Sequence, residues 1–388
     1  MFSSEKIAYF DYNATAALLP GLSERMIKAS QKHFGNPSSP HRIGRNAKDI
    51  LEESRIRIAR SIGIQAQELI FTSGGSEGNN AVLRQLLFRS GPQHIITSQI
   101  EHPSVLETCR ILEQCSPINI SYLPVDRSGR VRPESLSAAI RPETSLISIM
   151  MANNETGVIQ PIESLASIAD EHKIPLHVDC VQGLGKIPMH WMKWNVSYAT
   201  VSAHKFGGPR GIGLLFLKEG VPFNELISGG KQERIRRAGT ENVMLACGFA
   251  EALDWININQ ESTSSRLLSF KNRIIEELKS IDGFFLIGEH APCLPNTINF
   301  GLSGISAESL LIRLDLDHVA VSTGSACSSG ALEASHVLLA MGLEKSKAKS
   351  CLRLSMGWNT NEEEVEYLID RIHLHAQKLY EKQRCGNK

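Results

Sequence analysis

Short apolar runs alternate with stretches of helical periodicity along the N-terminal part of the chain, and that alternation confines it to a layered fold. Leu69–Thr72 reads as a strand, followed by a glycine-rich turn and a helix. His94–Thr97, Ser145–Met151 and Pro175–Asp179 are further strand candidates, with helical stretches from about Ser104 and across Ile162–His172. Strands that alternate with helices pack as an α/β domain with a mostly parallel central sheet, and such sheets bind ligands at the carboxyl ends of their strands. The pattern changes near Asp254. Ser265–Ile281 reads as a long helix and Asn296–Phe300 and Ala307–Leu314 as shorter elements. Val365, Leu368, Ile369, Ile372, Ala376 and Leu379 then recur at helical spacing. Residues from about 256 onward are expected to form a smaller second domain, which a length of 388 residues accommodates.

Charge and apolar content exclude several classes. Lys plus Arg balances Asp plus Glu, 41 against 41, so no basic face for nucleic acid is expected. No apolar run approaches the roughly 18 residues of a membrane span, and the opening MFSSEKIAYFDYNATA lacks a basic segment followed by an apolar one. A cytoplasmic location is the expectation, with no membrane partner. The eight cysteines are Cys109, Cys115, Cys180, Cys247, Cys293, Cys327, Cys351 and Cys385. None shows Cys-x-x-Cys spacing, so no metal site is expected, and most should be free and buried.

Five constellations carry chemistry. Thr72-Ser73-Gly74-Gly75-Ser76-Glu77-Gly78-Asn79-Asn80 ends a strand and begins a helix, whose free N–H groups suit an anion; an ordinary strand-to-helix turn reads the same way. Ser202-Ala203-His204-Lys205 precedes a glycine-rich stretch. A lysine there can be desolvated and condense with a carbonyl, or can be a plain turn lysine. Asp179 follows an apolar strand, where a carboxylate can hold a pyridinium nitrogen protonated or cap a helix. Cys327, in Gly324-Ser325-Ala326-Cys327-Ser328-Ser329-Gly330, is expected on an accessible loop of small residues, where a thiol can react; Cys180 and Cys351 border strands and read as structural. Arg353 is a charge inside a short apolar strand, either paired internally or set to bind a carboxylate.

Together these motifs resemble the NifS/IscS-type cysteine desulfurases, class V of the fold-type I enzymes dependent on pyridoxal 5'-phosphate (PLP). The resemblance also runs through Asp11-Tyr12-Asn13-Ala14-Thr15, Gly35–His41, Glu101-His102-Pro103-Ser104-Val105, Asn153–Gly157 and Arg237-Ala238-Gly239-Thr240-Glu241-Asn242. It implies a large PLP-binding domain over 15–255 and a small α+β domain from 1–14 and 256–388 that carries the catalytic cysteine. Lys205 matches the lysine that bonds the cofactor, His102 the histidine stacked on its ring and assisting proton transfer, and Asp179 the partner of the ring nitrogen. Gln182 matches the contact to the phenolic oxygen, and Asn154 a residue beside cofactor and substrate. Gly75, Ser76, Ser202 and His204 match the phosphate cradle. Thr240 matches a threonine that reaches the phosphate from the other subunit, which implies a homodimer. Arg353 matches the arginine for the substrate carboxylate and Cys327 the nucleophile. The implied activity converts L-cysteine to L-alanine and leaves a persulfide on Cys327. The sulfur then goes to an acceptor such as an iron–sulfur scaffold or a tRNA-thiolation protein.

Three positions depart from the pattern. Ser76 and Ala16 stand where many relatives have threonine, and Trp358 where they often have a basic residue. Rival readings are a selenocysteine lyase or another PLP enzyme of the same fold, a sulfur-transfer scaffold without catalysis, and a nucleotide site. The last lacks the Gly-Lys-Ser/Thr ending that a nucleotide loop uses.

Overall fold

The computed structural model describes residues 7–323 and 333–386; Cys327 lies outside the described residues. In chain order the strands are β1 (Ala8–Tyr9), β2 (Leu69–Thr72), β3 (Gln93–Ser98), β4 (Ile118–Leu123), β5 (Thr144–Met150), β6 (Leu176–Asp179), β7 (Tyr198–Ser202), β8 (Gly213–Leu217), β9 (Phe284–Leu286), β10 (Thr297–Leu302), β11 (Val319–Ala320) and β12 (Cys351–Ser355). A seven-stranded sheet runs β2-β8-β7-β6-β5-β3-β4. Its pairs are parallel except those of β8, which lies antiparallel to both neighbours. The mostly parallel sheet expected from the alternating pattern is therefore present. Val178, Ala199, Val201, Leu214 and Phe216 fill one core, as strands covered on both faces require.

Two glycines let helix and sheet approach. A Cβ on Gly78, in the helix Gly75–Leu83, would lie 2.6 Å from Thr200 Cγ2. One on Gly213 would lie 2.4 Å from the Val201 carbonyl and 2.8 Å from Gly74 Cα. Both positions bring the turn after β2 against the end of β7, where Lys205 follows.

A second core lies around the three-stranded antiparallel sheet β12-β10-β9. Phe300, Leu354, Val365 and Ile372 pack there, the last two from the helix Glu362–Gly386. Ala8 and Phe10 join this core from the N-terminal segment, and β1 pairs with β11. The helix expected at Ser265–Ile281 is longer, running Val243–Leu278. Ala246, Phe249 and Leu253 enter the first core, and Leu267, Phe270 and Ile274 enter the second. Its first half buries Ala246, Cys247, Gly248, Phe249 and Ala250 in succession, so it lacks the apolar–polar contrast that marks a helix in sequence. The expected division between 255 and 256 falls within this helix. No helix among the described residues is long and apolar enough to cross a membrane.

The segment that leads to Thr240 is held by a buried ion pair. Glu233, Arg234 and Ile235 all take left-handed backbone, at φ 46°, 57° and 66°, which a β-branched residue such as Ile235 adopts at a cost. Arg55 clamps Glu233 through both guanidinium nitrogens, at 2.9 and 2.6 Å, with the two side chains only 3% and 2% exposed. The Phe71 N–H also donates to Glu233, tying the strained segment to β2. Removing one partner strands the other charge. Glu233→Gln is expected to destabilise the chain by about 3–5 kcal/mol in urea unfolding, and Arg55→Met added to it should recover part of the loss.

Candidate active site

The carboxyl ends of β5, β6 and β7 and the start of the helix Gly75–Leu83 enclose an open cleft of about 520 Å³. Gly75 and Ser76 line it from the helix start and His102 from the residue that caps the helix Pro103–Cys115. Asn154 enters after β5, Asp179 and Gln182 at and after β6, and Ser202, His204 and Lys205 at and after β7. Thr240 is exposed and is not among the residues lining the cleft. Arg353 adjoins the cleft without lining it.

Lys205 sits at the end of a short turn, Ala203–Lys205, directly after β7. Its Nζ donates to the Asn13 carbonyl at 2.7 Å and to the Ala14 carbonyl at 3.0 Å. Burial, reinforced by the Arg353 charge, lowers its pKa from the ordinary 10.5 to about 8, against the opposing pull of Asp179 and Asp11. An amine with a pKa near neutrality is a competent nucleophile and base.

Asp179 and His102 belong to one hydrogen-bond chain. The Asn79 amide donates to Asp179 Oδ2 at 2.7 Å and to Ser104 Oγ at 2.9 Å, and the Val181 N–H donates to Asp179 Oδ1 at 3.0 Å. Ser104 Oγ lies 2.8 Å from His102 Nδ1, which also accepts from the Ser104 N–H at 3.1 Å. A backbone N–H can only donate, so Nδ1 keeps its lone pair and the neutral ring carries its proton on Nε2. Burial lowers the His102 pKa, with help from Lys205 and His336. The ring is therefore poised to stack and exchange a proton rather than to add charge.

At the other end of the cleft the first N–H groups of the helix Gly75–Leu83 have no partner inside the helix. Ser76, Ser202 and His204 line the same end. His204 contacts Thr15 Oγ1 through Nδ1 at 3.1 Å, and burial with the neighbouring cations Lys205, Arg210 and Lys186 lowers its pKa to about 4. The result is a donor-rich pocket for an anion.

Arg353 lies in β12 and joins the site from the second core. Its Nη2 pairs with Asp11 at 2.5 Å and its Nη1 donates to the Asn154 carbonyl at 3.1 Å. The internal pairing left open by the sequence is thus present. Its buried Nε has no hydrogen-bond partner among the described residues. Trp358 donates to the Ala17 carbonyl at 3.0 Å and packs edge-on against Trp255. Cys180 and Cys351 are buried, consistent with structural thiols.

Sequence reasoning gave no role to Asn13, Asn79, Ser104 or Lys186. Asn13, Asn79 and Ser104 each stand inside a recognised motif. Lys186 stands four residues after Gln182, and no local signal marks it.

Residues 8–368 match the family model "Aminotransferase class-V". The chain is 43% identical to the cysteine desulfurase IscS of Dictyoglomus turgidum, covering 96% of this chain and 95% of that one. A solved NifS-like protein superposes with a TM-score of 0.88 at 35% identity, covering 95% of this chain and 98% of that one. A solved structure described as SspA in complex with cysteine superposes with a TM-score of 0.80 at 32% identity, covering 90% and 98%. The chain belongs to the class-V aminotransferase family, and so to the fold-type I architecture. Within that family it belongs with the cysteine desulfurases of the IscS/NifS kind.

In the chain without cofactor, labelling of Lys205 by an aldehyde reagent, read by peptide mass, should reach half its limiting rate near pH 8. Arg353→Gln should move that midpoint upward, because it removes a cation that disfavours protonation. A midpoint at the ordinary lysine value in both proteins would contradict the electrostatic assignment.

Proposed function

We propose that this chain uses PLP to convert L-cysteine to L-alanine, holds the sulfur as a persulfide on Cys327 and passes it to an acceptor protein, working as a homodimer. The observation that carries the proposal is the placing of Lys205 in one cleft with Asp179 and the start of the helix Gly75–Leu83.

The donor set fits PLP. The start of the helix Gly75–Leu83 with Ser76, Ser202 and His204 would hold its phosphate, and Asp179 its ring nitrogen. Gln182 would meet its phenolic oxygen, His102 its ring face, and Lys205 its aldehyde carbon. Bound there, PLP supplies an electron sink for charge developing on the substrate.

The residues of this chain would do the rest. Among the described residues the buried Arg353 Nε–H has no partner, and each Nη carries a second hydrogen that would serve the carboxylate of cysteine. Its guanidinium donates to the carbonyl of Asn154, which lines the cleft, so a substrate held by both would be oriented there. Lys205 takes the proton from the substrate α-carbon, aided by its lowered pKa, and His102 Nε2 is available to return one. The Cys327 thiolate forms a bond to the substrate sulfur as the Cβ–S bond breaks. Cβ keeps that electron pair, gains a proton and completes alanine, and Cys327 holds the extra sulfur.

The homodimer rests on Thr240. Its counterpart in the resembling family reaches the phosphate of the other subunit, and here Thr240 is exposed and apart from its own cleft. The acceptor is the iron–sulfur scaffold or tRNA-thiolation protein of the resemblance.

Lys205→Ala should lose the visible absorption of bound cofactor and slow alanine formation by about 10²–10⁴-fold. Cys327→Ala should keep that absorption yet release no sulfide from L-cysteine with a reductant. Full turnover by the Cys327 variant would rule out its role.

A further inference from the structure

Gln182 and Lys186 lie in the successive turns after β6, in which the Gly183 and Leu184 N–H groups donate to the Cys180 carbonyl and those of Lys186 and Ile187 to the Gly183 carbonyl. Gly185, at φ 81°, turns the chain between them, and the two side chains meet directly. The Lys186 Nζ donates to Gln182 Oε1 at 2.6 Å and to Asn13 Oδ1 at 2.9 Å. The Gln182 Nε2 donates to the Asn13 carbonyl at 3.0 Å, and Asn13 is only 1% exposed. Lys186 therefore spends its donors on two amide oxygens rather than on a carboxylate.

A primary amide can present its oxygen or its NH₂ group to the same neighbour, and only its hydrogen bonds decide which. Flipping Gln182 would turn its NH₂ against the Lys186 amine and its oxygen against the Asn13 carbonyl. The second clash, acceptor against acceptor at the present 3.0 Å separation, holds whichever protonation state Lys186 adopts. With the flip excluded, one Nε2 hydrogen goes to Asn13 and the other is available to an acceptor in the cleft that Gln182 lines.

We propose that Lys186 is a positioning residue: with the Asn13 carbonyl it holds the Gln182 amide at both ends, so that an N–H, and not the oxygen, serves the cleft. This rests on the reading of Gln182 as the contact to the phenolic oxygen of PLP, an acceptor that the opposite amide orientation would repel. The lock orients a polarising donor before the cofactor arrives, so its loss weakens cofactor binding and alters the cofactor's electronic environment.

Two measurements test the lock, one without cofactor. In protein labelled with ¹⁵N-glutamine and freed of cofactor, the side-chain amide signal that disappears in Gln182→Ala belongs to Gln182. In the unmodified chain it should be sharp and displaced from the position of a solvent-exposed glutamine. In Lys186→Met, where only the Asn13 carbonyl still holds the amide, it should broaden or move toward that position. Lys186→Gln, whose own carbonyl can accept from a flipped amide, is the second unlocking variant should the first fail to fold. In the second measurement, Lys186→Met should raise the PLP dissociation constant about tenfold and shift the visible band. Lys186→Met added to Gln182→Ala should cost less than the two single losses combined, because the shared contact is lost only once. Lys186→Arg keeps a donor and borders a second cleft with room for the larger head, so it should restore the band. An unchanged Gln182 signal in both unlocking variants, or losses that add in the double variant, would overturn the lock. If the unmodified chain fails to bind PLP, the cofactor reading falls, while the cofactor-free amide signal still decides the lock.

Discussion

Asn13 is the knot that holds the two cores in register. Its N–H donates to Ser355 Oγ and its amide to the Asn154 carbonyl and Thr297 Oγ1. Its Oδ1 accepts from Lys186 and Asn296, and its carbonyl from Lys205 and Gln182. One buried residue, through side chain and backbone, thus joins β10 and β12 of the small sheet to the ends of β5, β6 and β7 of the large one. A buried network of this kind is favourable only when each member is satisfied, so it specifies one arrangement. The cleft inherits its geometry from that arrangement, since Lys205, Gln182 and Asn154 all touch Asn13.

The knot also concentrates charge. Lys186, Lys205 and Arg353 crowd around it, with Asp11 and Asp179 as the nearby carboxylates that enter their balance. Burial and mutual repulsion push both lysines toward the neutral amine. Arg353, paired with Asp11, helps to lower Lys205 from a distance. The same placement serves the proposed chemistry twice, by freeing an amine to react and by offering a cation for a carboxylate. It also explains why residues more than a hundred positions apart must fold together before any of them is reactive.

Much of this was legible because strand ends carry motifs. The turn after β2, Asp179 at the end of β6 and Lys205 after β7 each follow an apolar run, and parallel strands bring their ends to one edge. What escaped the sequence was contact made at long range. Nothing local says that Asp11 pairs with Arg353, that Asn13 accepts from Lys205, or that β8 enters the sheet antiparallel. The first half of the helix Val243–Leu278 escaped for another reason, since a helix buried on many sides has no polar stripe to reveal it. Lys186 escaped as well, since its meaning depends on the distant Asn13.

Lys205, proposed to activate the substrate, and Cys327, which lies outside the described residues and is proposed to take the sulfur, would act together. Peptide mass spectrometry after one turnover with L-cysteine, without reductant, tests that union most directly. The account predicts that the Cys327 peptide gains the mass of one sulfur atom as alanine forms in equal amount. Alanine formed while Cys327 stays unmodified, with the sulfur on another cysteine or released at once as sulfide, would contradict it.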